Sequence, residues 1–218
     1  MELQPGKQLI STHDTTVVST PPRENVSSIS PCFHEEADTH IFVHVADLAT
    51  SGYNRVVIRT TDSDVLVIGV SVMQHLKDLC ELWLAFGCGK NFRYIPVHII
   101  AQQLGNARSG GLLAFHSLTG CDTVSSLYGQ GKKTAWTVWQ QTPDVTWALQ
   151  ALSTTPEQVT EVIFTAISEF VVRLHALDGC DVDAARLEGF YYKVGILKQI
   201  VSQSQILINV SLSVCTDI

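Results

Sequence analysis

The amino-acid sequence predicts an α/β fold in which helices cover both faces of an open sheet. Three observations support this prediction: a helical stripe of apolar residues stops at Ser51-Gly52, the apolar strand R-V-V-I-R follows it, and another apolar segment begins near Ser63. A helix, a turn, a strand and a second helix in this order are typical of α/β domains. Since 45% of the 218 residues are hydrophobic, the chain can bury a sizeable core, and we expect one domain.

Each element of this unit has its own local signal. Apolar residues recur at helical spacing from residue 35 to about residue 50. The strand 55–59 has an apolar centre that suits a buried parallel position. The run D-V-L-V-I-G-V-S-V fits a strand or a helix by pattern, and we favour a helix that begins near Ser63.

Two hairpins are predicted outside this unit. The segments K-Q-L-I-S and T-T-V-V-S are expected to pair around His13-Asp14, before a connector rich in Pro and Ser. The segments E-L-W-L-A-F-G and N-F-R-Y-I-P-V flank a turn-like interval at Cys88-Gly89-Lys90. That arrangement predicts the second hairpin.

The second half of the chain is predicted to be mainly helical. Helices are expected over residues 98–104, 111–118, 134–141 and 156–175. The tail 195–218 has high β-propensity and no clear partner, so it is either an edge strand or poorly packed. The predicted organisation is a peripheral segment (1–33), an α/β core (34–142), C-terminal helices (143–194) and the apolar tail (195–218).

Composition narrows the class of protein. The net charge of -7 argues against a surface coated with positive charge for nonspecific nucleic-acid binding. No apolar run approaches the roughly 20 residues that span a bilayer, and no signal peptide is visible, so we expect an intracellular protein, nuclear or cytoplasmic, without a membrane partner. The cysteines form no C-x-x-C pair and are predicted to be reduced, mostly buried thiols. They are Cys32, Cys80, Cys88, Cys121, Cys180 and Cys215.

Five acidic residues lie at the edges of predicted elements, namely Glu36, Asp38, Asp62, Asp64 and Asp122. The carboxyl ends of strands in an open α/β sheet face one crevice, where ligands bind. Magnesium prefers oxygen ligands, and two divalent ions roughly 3.5 to 4 Å apart need several carboxylates. Ordinary helix capping and the helix macrodipole also favour acids at such positions, so the metal site and the capping role both remain open.

The order of these motifs resembles the PIN-like and flap-endonuclease superfamily of 5′-nucleases. An E-A-D opens a helix, T-D-S-D ends the next strand, and G-C-D leads into G-Q-G-K-K-T-A, over roughly residues 34–139. The fuller wording also looks like a group of uncharacterised animal proteins, many of them derived from mobile elements. The resemblance implies a three-layer sandwich with a mainly parallel central sheet and a magnesium- or manganese-dependent nuclease. It does not supply the substrate: we expect nucleic acid, with DNA ahead of RNA, and both remain open.

The resemblance also implies roles for individual residues. Glu36, Asp38, Asp62, Asp64 and Asp122 would be the catalytic metal ligands, directly or through water. A phosphate-facing turn, in which backbone amides and two ammonium groups approach the nucleic acid, would follow them. That turn would consist of Gly129, Gly131, Lys132, Lys133 and Thr134. The alternative is a surface turn with solvated lysines.

The chain departs from the family at its N-terminal side. Acids that the family takes from two earlier strands have no match in residues 1–33, where Asp14 is the nearest candidate and a hairpin turn explains it better. We therefore expect a domain that is incomplete at its N terminus, with doubtful nuclease activity in the isolated chain. The competing hypothesis is a non-catalytic relic that serves as a nucleic-acid or protein interaction module.

Two other chemistries are weaker. His40 and His44 share the i, i+4 spacing of a zinc-binding pair, but the segment reads H-I-F-V-H and lacks the Glu of an H-E-x-x-H hydrolase. Cys121 near His116 suggests a thiol nucleophile, although a buried structural cysteine is commoner.

The tryptophans offer a last candidate, the stacking of nucleic-acid bases. Their spacings of three and eight residues suit the packing of one helix against its neighbour better. We therefore assign them to the core. They are Trp136, Trp139 and Trp147.

Overall fold

A computed structural model describes residues 6–13, 15–30, 37–120, 131–155 and 159–176. Within these ranges the protein is a mixed α/β fold with six helices and two small sheets. The strands are β1 Leu9–His13, β2 Thr16–Thr20, β3 Arg55–Thr60, β4 Glu81–Phe86 and β5 Arg93–Pro96. The α-helices are α1 Ala37–Thr50, α2 Ser63–Val72, α3 Val97–Leu118, α4 Lys132–Gln141, α5 Thr146–Thr154 and α6 Glu161–Ala176.

The larger sheet has the strand order β3-β4-β5. Strand β3 pairs with β4 in parallel, and β4 pairs with β5 in the antiparallel hairpin predicted around Cys88-Gly89-Lys90. The hairpin of β1 and β2 is confirmed as well. Helix α2 begins at Ser63, as predicted, because Asp62 caps its first turn.

The predicted mainly parallel sheet with helices on both faces is only partly present in the described residues. Strand β3 was expected in a buried position, but it lies at one edge of the described sheet and buries only one of its faces. Val56 and Ile58 point into the core, whereas Val57 on the opposite face is 55% exposed. The larger sheet has one parallel and one antiparallel pairing, so the strand pattern alone overestimates how completely this sheet is enclosed.

The covered face of the sheet forms the first hydrophobic core. Ile58, Leu82 and Leu84 contribute from the strands, and Phe42 of α1 and Val65 of α2 close over them. Leu82, Leu84, Phe42 and Val65 are each fully buried. This core fixes α1 and α2 against the sheet and so determines where their first turns lie.

Helix α3 joins the first core to a second one. Gly105 interrupts it with φ 73° and ψ 161°, immediately after the predicted first helix 98–104. Beyond this kink Phe115 packs against Trp139 of α4, with ring centroids 4.7 Å apart, and against Phe170 of α6. Helix α5, which the sequence pattern did not reveal, supplies Leu149 to the same core.

The connector between β2 and α1 is held by a buried ion pair. The Asp47 carboxylate on α1, 3% exposed, accepts hydrogen bonds from both terminal nitrogens of Arg23 at 2.5 and 2.9 Å. Ser28 donates to the same carboxylate at 2.5 Å. These contacts attach the connector to α1 and compensate the burial of the charge.

Two of the cysteines, Cys80 and Cys88, lie within the described residues. Cys80 and Cys88, the free thiols in the described ranges, are exposed, so the prediction of buried cysteines is wrong for both. Cys80 precedes β4 and Cys88 lies in the turn between β4 and β5, so both lie outside the strands and helices that build the core. The other cysteines lie outside the described residues.

None of the helices within the described ranges has the length and apolar character needed to cross a membrane.

Candidate functional site

The carboxyl end of β3 is built around Asp62. Thr60 Oγ1 accepts a hydrogen bond from the Asp62 backbone N–H at 3.0 Å, which turns the chain out of the strand. Asp62 has an extended backbone, and its Oδ1 accepts the Asp64 N–H at 2.8 Å to cap α2. The D-x-D spacing thus gives one acid a capping role and places the other in the first turn of the helix.

Asp64 is joined to the end of α3 by a side-chain bond. His116 Nε2 lies 2.9 Å from Asp64 Oδ1, and the two side chains are 13% and 27% exposed. On the other side of the imidazole, Lys132 Nζ at the start of α4 lies 2.8 Å from His116 Nδ1 and 3.4 Å from Nε2. Three separate helices therefore contribute to one chain of polar contacts.

The hydrogen-bonding capacity of each group determines which one donates and which one accepts in the contacts between Lys132, His116 and Asp64. An ammonium group can only donate, and an ionised carboxylate can only accept. His116 between Lys132 and Asp64 is therefore suited to accept at Nδ1 and to donate its Nε2–H to Asp64. This arrangement fixes the orientation of the Asp64 carboxylate.

The remaining sequence-predicted ligands are divided by what the structure describes. Asp38 lies in the first turn of α1 and is partly exposed. Because α1 returns into β3 through the short turn 51–54, it runs antiparallel to the strand, and Asp38 lies toward the end of the sheet that carries Asp62. Glu36 and Asp122 lie outside the described residues.

Asp62 and Asp64 each have one carboxylate oxygen outside the hydrogen bonds described above. Oδ2 of Asp62 and Oδ2 of Asp64 accept no hydrogen bond from any residue in the described ranges. Two such oxygens suit a hard divalent cation in donor chemistry, but Mg²⁺ needs further oxygen ligands. Within the described part of the chain, no group of three or more His, Cys, Asp or Glu side chains could hold a metal ion.

The predicted phosphate-facing turn is described from Gly131 onward, and Gly129 lies outside the described residues. Gly131 has φ -79° and precedes α4 without a side-chain cap. A Cβ on Gly131 would meet nothing within 4 Å, so neither its backbone conformation nor its packing requires glycine. Lys133 is exposed and Thr134 is partly buried, whereas Lys132 is engaged with His116.

The two histidines of α1, His40 and His44, both contact the hydroxyl group of Thr12 in strand β1. His40 Nε2 and His44 Nε2 lie 3.4 and 3.2 Å from Thr12 Oγ1, and the two rings stack with centroids 5.1 Å apart. These contacts join the β1–β2 hairpin to α1. Burial lowers the pKa of His44, and the nearby His40 lowers it further.

The tryptophans divide between core and surface. Trp139 is fully buried, and Trp136 packs edge-on against it with ring centroids 5.2 Å apart, as the core assignment predicted. Trp147 is 45% exposed, so that assignment is wrong for it. It lies near the start of α5, on the side of the helix away from Leu149.

The sequence did not reveal the role of His116 at this site. The sequence pattern indicates His116 only as a partner for Cys121, which lies outside the described residues. The available signal is its position near the end of a helix that leads into the G-C-D motif.

In comparisons with known proteins, no family model, no curated protein and no solved structure matches this chain.

Proposed function

We propose that this chain is a nuclease-like domain that binds nucleic acid and a divalent cation, Mg²⁺ or Mn²⁺, at the carboxyl end of β3. Glu36, Asp38, Asp62, Asp64 and Asp122 are the proposed ligands. A PIN-like, three-layer arrangement with a mainly parallel sheet belongs to the same proposal. The observation that carries it is the meeting of two carboxylates, an imidazole and an ammonium group where β3 ends.

The charges of this cluster support a phosphodiester substrate. The two acids offer hard oxygen donors for a cation, and Lys132 and Lys133 offer ammonium groups for phosphate. Glycine at Gly131, which the local structure does not require, leaves the start of α4 open to close approach by a phosphate.

In this proposal the cation, the acidic residues and the lysines each have a separate role. A bound divalent cation supplies charge stabilisation and lowers the pKa of water at the reacting phosphate. Asp62 and Asp64 would hold the cation, and the bond from His116 would keep the Asp64 carboxylate in one orientation. Lys132 and Lys133 contribute positive charge beside the nucleic-acid backbone.

Calorimetric titration with Mn²⁺ tests the proposal. The double substitution Asp62→Asn and Asp64→Asn removes both charges, while asparagine can still cap α2 and accept from His116. We expect a loss of Mn²⁺ affinity of about tenfold or more relative to the unsubstituted chain. Asp144→Asn, which changes an exposed acid in the turn Pro143–Val145, serves as the matched control and should leave binding unchanged.

Two results would remove the proposal. One is the absence of Mn²⁺ binding by the unsubstituted chain, and the other is equal binding by the doubly substituted chain. If the expected binding is found, cleavage of flap, hairpin and single-stranded substrates then defines the substrate.

A non-catalytic interaction module is the second candidate function. The observation that favours it is that both acids have structural partners, since Asp62 caps α2 and Asp64 is bonded to His116. Under this alternative, nucleic acid or protein binding would be the same in EDTA and in Mn²⁺. No cleavage would accompany it.

A further inference from the structure

The outer face of the larger sheet, the face opposite the hydrophobic core, exposes a group of large apolar side chains. Tyr94 is 60% exposed, Val57 55% and Phe92 42%. Phe92 and Tyr94 meet edge to face with ring centroids 5.2 Å apart, at the start of β5. Exposed aromatic side chains grouped in this way are typical of binding surfaces.

A positioned cation accompanies these rings. Arg59 lies in the same cross-strand row as Ala85 and Tyr94, and its guanidinium carbon is 5.3 Å from the centre of the Phe92 ring. Arg59 Nη1 donates to the carbonyl oxygens of Thr60 at 3.1 Å and Ala85 at 2.9 Å. These bonds hold the guanidinium against the sheet.

Arg59 has no carboxylate partner among the described residues. Arg55, at the other end of the strand, differs from Arg59 because it forms a bidentate ion pair with Glu81. Lys90, in the neighbouring turn, is exposed. In a chain with a net charge of -7, the corner of the sheet at Arg59 therefore carries a positive charge that no described carboxylate pairs with.

Rings that can stack and a cation without a counter-ion suit a polyanion with flat, accessible bases. Duplex DNA presents phosphates but hides the faces of its bases, whereas a single strand presents both. We propose that the outer face binds single-stranded nucleic acid, with bases stacked on Tyr94 and Phe92 and a phosphate at Arg59.

The position of this surface extends the proposed function. Arg59 is three residues before Asp62, and Phe92 lies beside the carboxyl ends of β3 and β4. A strand bound there would lead toward the proposed metal site, and in this respect the inference rests on that function. The binding itself requires no metal, so it is tested separately in EDTA.

Fluorescence anisotropy of the full chain with labelled 12-nucleotide DNA and RNA single strands, and with a duplex, tests the proposal. Tyr94→Thr is expected to weaken single-strand binding about fivefold or more. Tyr53→Thr changes a tyrosine of similar exposure, 56%, at the opposite end of β3 and should have no effect. Circular dichroism of both variants verifies that the chain remains folded.

Salt dependence separates the phosphate contact from the stacking contacts. Loss of one phosphate contact lowers the slope of log affinity against log salt by about 0.7 for a single strand. We expect this change for Arg59→Gln and not for Tyr94→Thr. Arg55→Gln, at the ion-paired end of the strand, is the control and should retain the full slope.

Several outcomes overturn the proposal. These are tighter binding to the duplex than to the single strand, equal losses for Tyr94→Thr and Tyr53→Thr, and an unchanged slope for Arg59→Gln. Self-association that Tyr94→Thr abolishes, without single-strand binding, would instead assign the face to contacts between copies. If single strands bind in EDTA while Mn²⁺ titration fails, this inference stands and the metal-dependent function fails.

Discussion

Replacement of His116 by alanine removes the hydrogen bond that ties the end of α3 to the first turn of α2. The bond joins side chains that are 13% and 27% exposed, so its environment lies between surface and core. Exposed ion pairs contribute about 0–1 kcal/mol and buried hydrogen bonds to charged groups about 1.5–3 kcal/mol. We therefore expect His116→Ala to lower the free energy of unfolding by about 1 kcal/mol.

Urea denaturation measures this loss, and a thermal scan should show a melting temperature lower by about 2–4 °C for a chain of this length. Because Asp64 is a proposed ligand, we expect a larger effect of His116→Ala on the affinity for Mn²⁺. Partners that orient a ligand typically change metal affinity about 10- to 100-fold. Mn²⁺ titration of His116→Ala should therefore show a loss much greater than the loss of stability alone explains.

His116→Gln is the matched control. The glutamine amide can donate to Asp64 as Nε2–H does, so this variant should recover most of the Mn²⁺ affinity. The reasoning is refuted if His116→Ala binds Mn²⁺ as tightly as the unsubstituted chain while Asp64→Asn does not. It is equally refuted if alanine and glutamine have the same effect, because orientation would then not be the cause.

Three further predictions concern the scaffold. Asp47→Asn leaves the Arg23 guanidinium without its counter-ion and should lower the free energy of unfolding by about 2–3 kcal/mol in urea denaturation; no loss would mean that the pair is dispensable. The pKa of His44 is lowered by folding, so the unfolded chain binds more protons. Stability should therefore fall as the pH drops below about 6.5, and His44→Gln should remove part of that dependence. Gly111→Ala would bring a Cβ to 3.1 Å from Leu149 Cβ and should destabilise the α3–α5 contact by about 1–3 kcal/mol, measured by the melting temperature.

The elements with strong local signals were predictable from the sequence. The start of α2 follows from the cap at Asp62, and the hairpin at Cys88-Gly89-Lys90 follows from turn residues between two apolar runs. The kink of α3 follows from Gly105, which takes a positive φ that other residues rarely adopt. In each case the deciding interaction spans only a few residues.

Features that depend on distant contacts were not predictable. Val57 and Val162 both fit apolar patterns, yet they are 55% and 67% exposed, because no described element covers their side. Helix α5 was missed although Leu149 and Leu152 mark a buried stripe, since no cap announces its start. The bond between His116 and Asp64 joins residues 52 positions apart, and no local pattern indicates such a pairing.

The meeting of charged side chains at one end of the sheet is itself a consequence of topology. Helices α1 and α2 run antiparallel to β3, so their first turns lie at its carboxyl end. Helix α3 starts beside the amino end of β4, and its last turn reaches the carboxyl end of β3, where His116 contacts Asp64. Acids at the starts of two helices gain from the helix macrodipole whether or not a cation binds. Proximity alone therefore does not distinguish a metal site from two capped helices. Asparagine at positions 62 and 64 does, because it preserves caps and hydrogen bonds while it removes the charge that a cation requires.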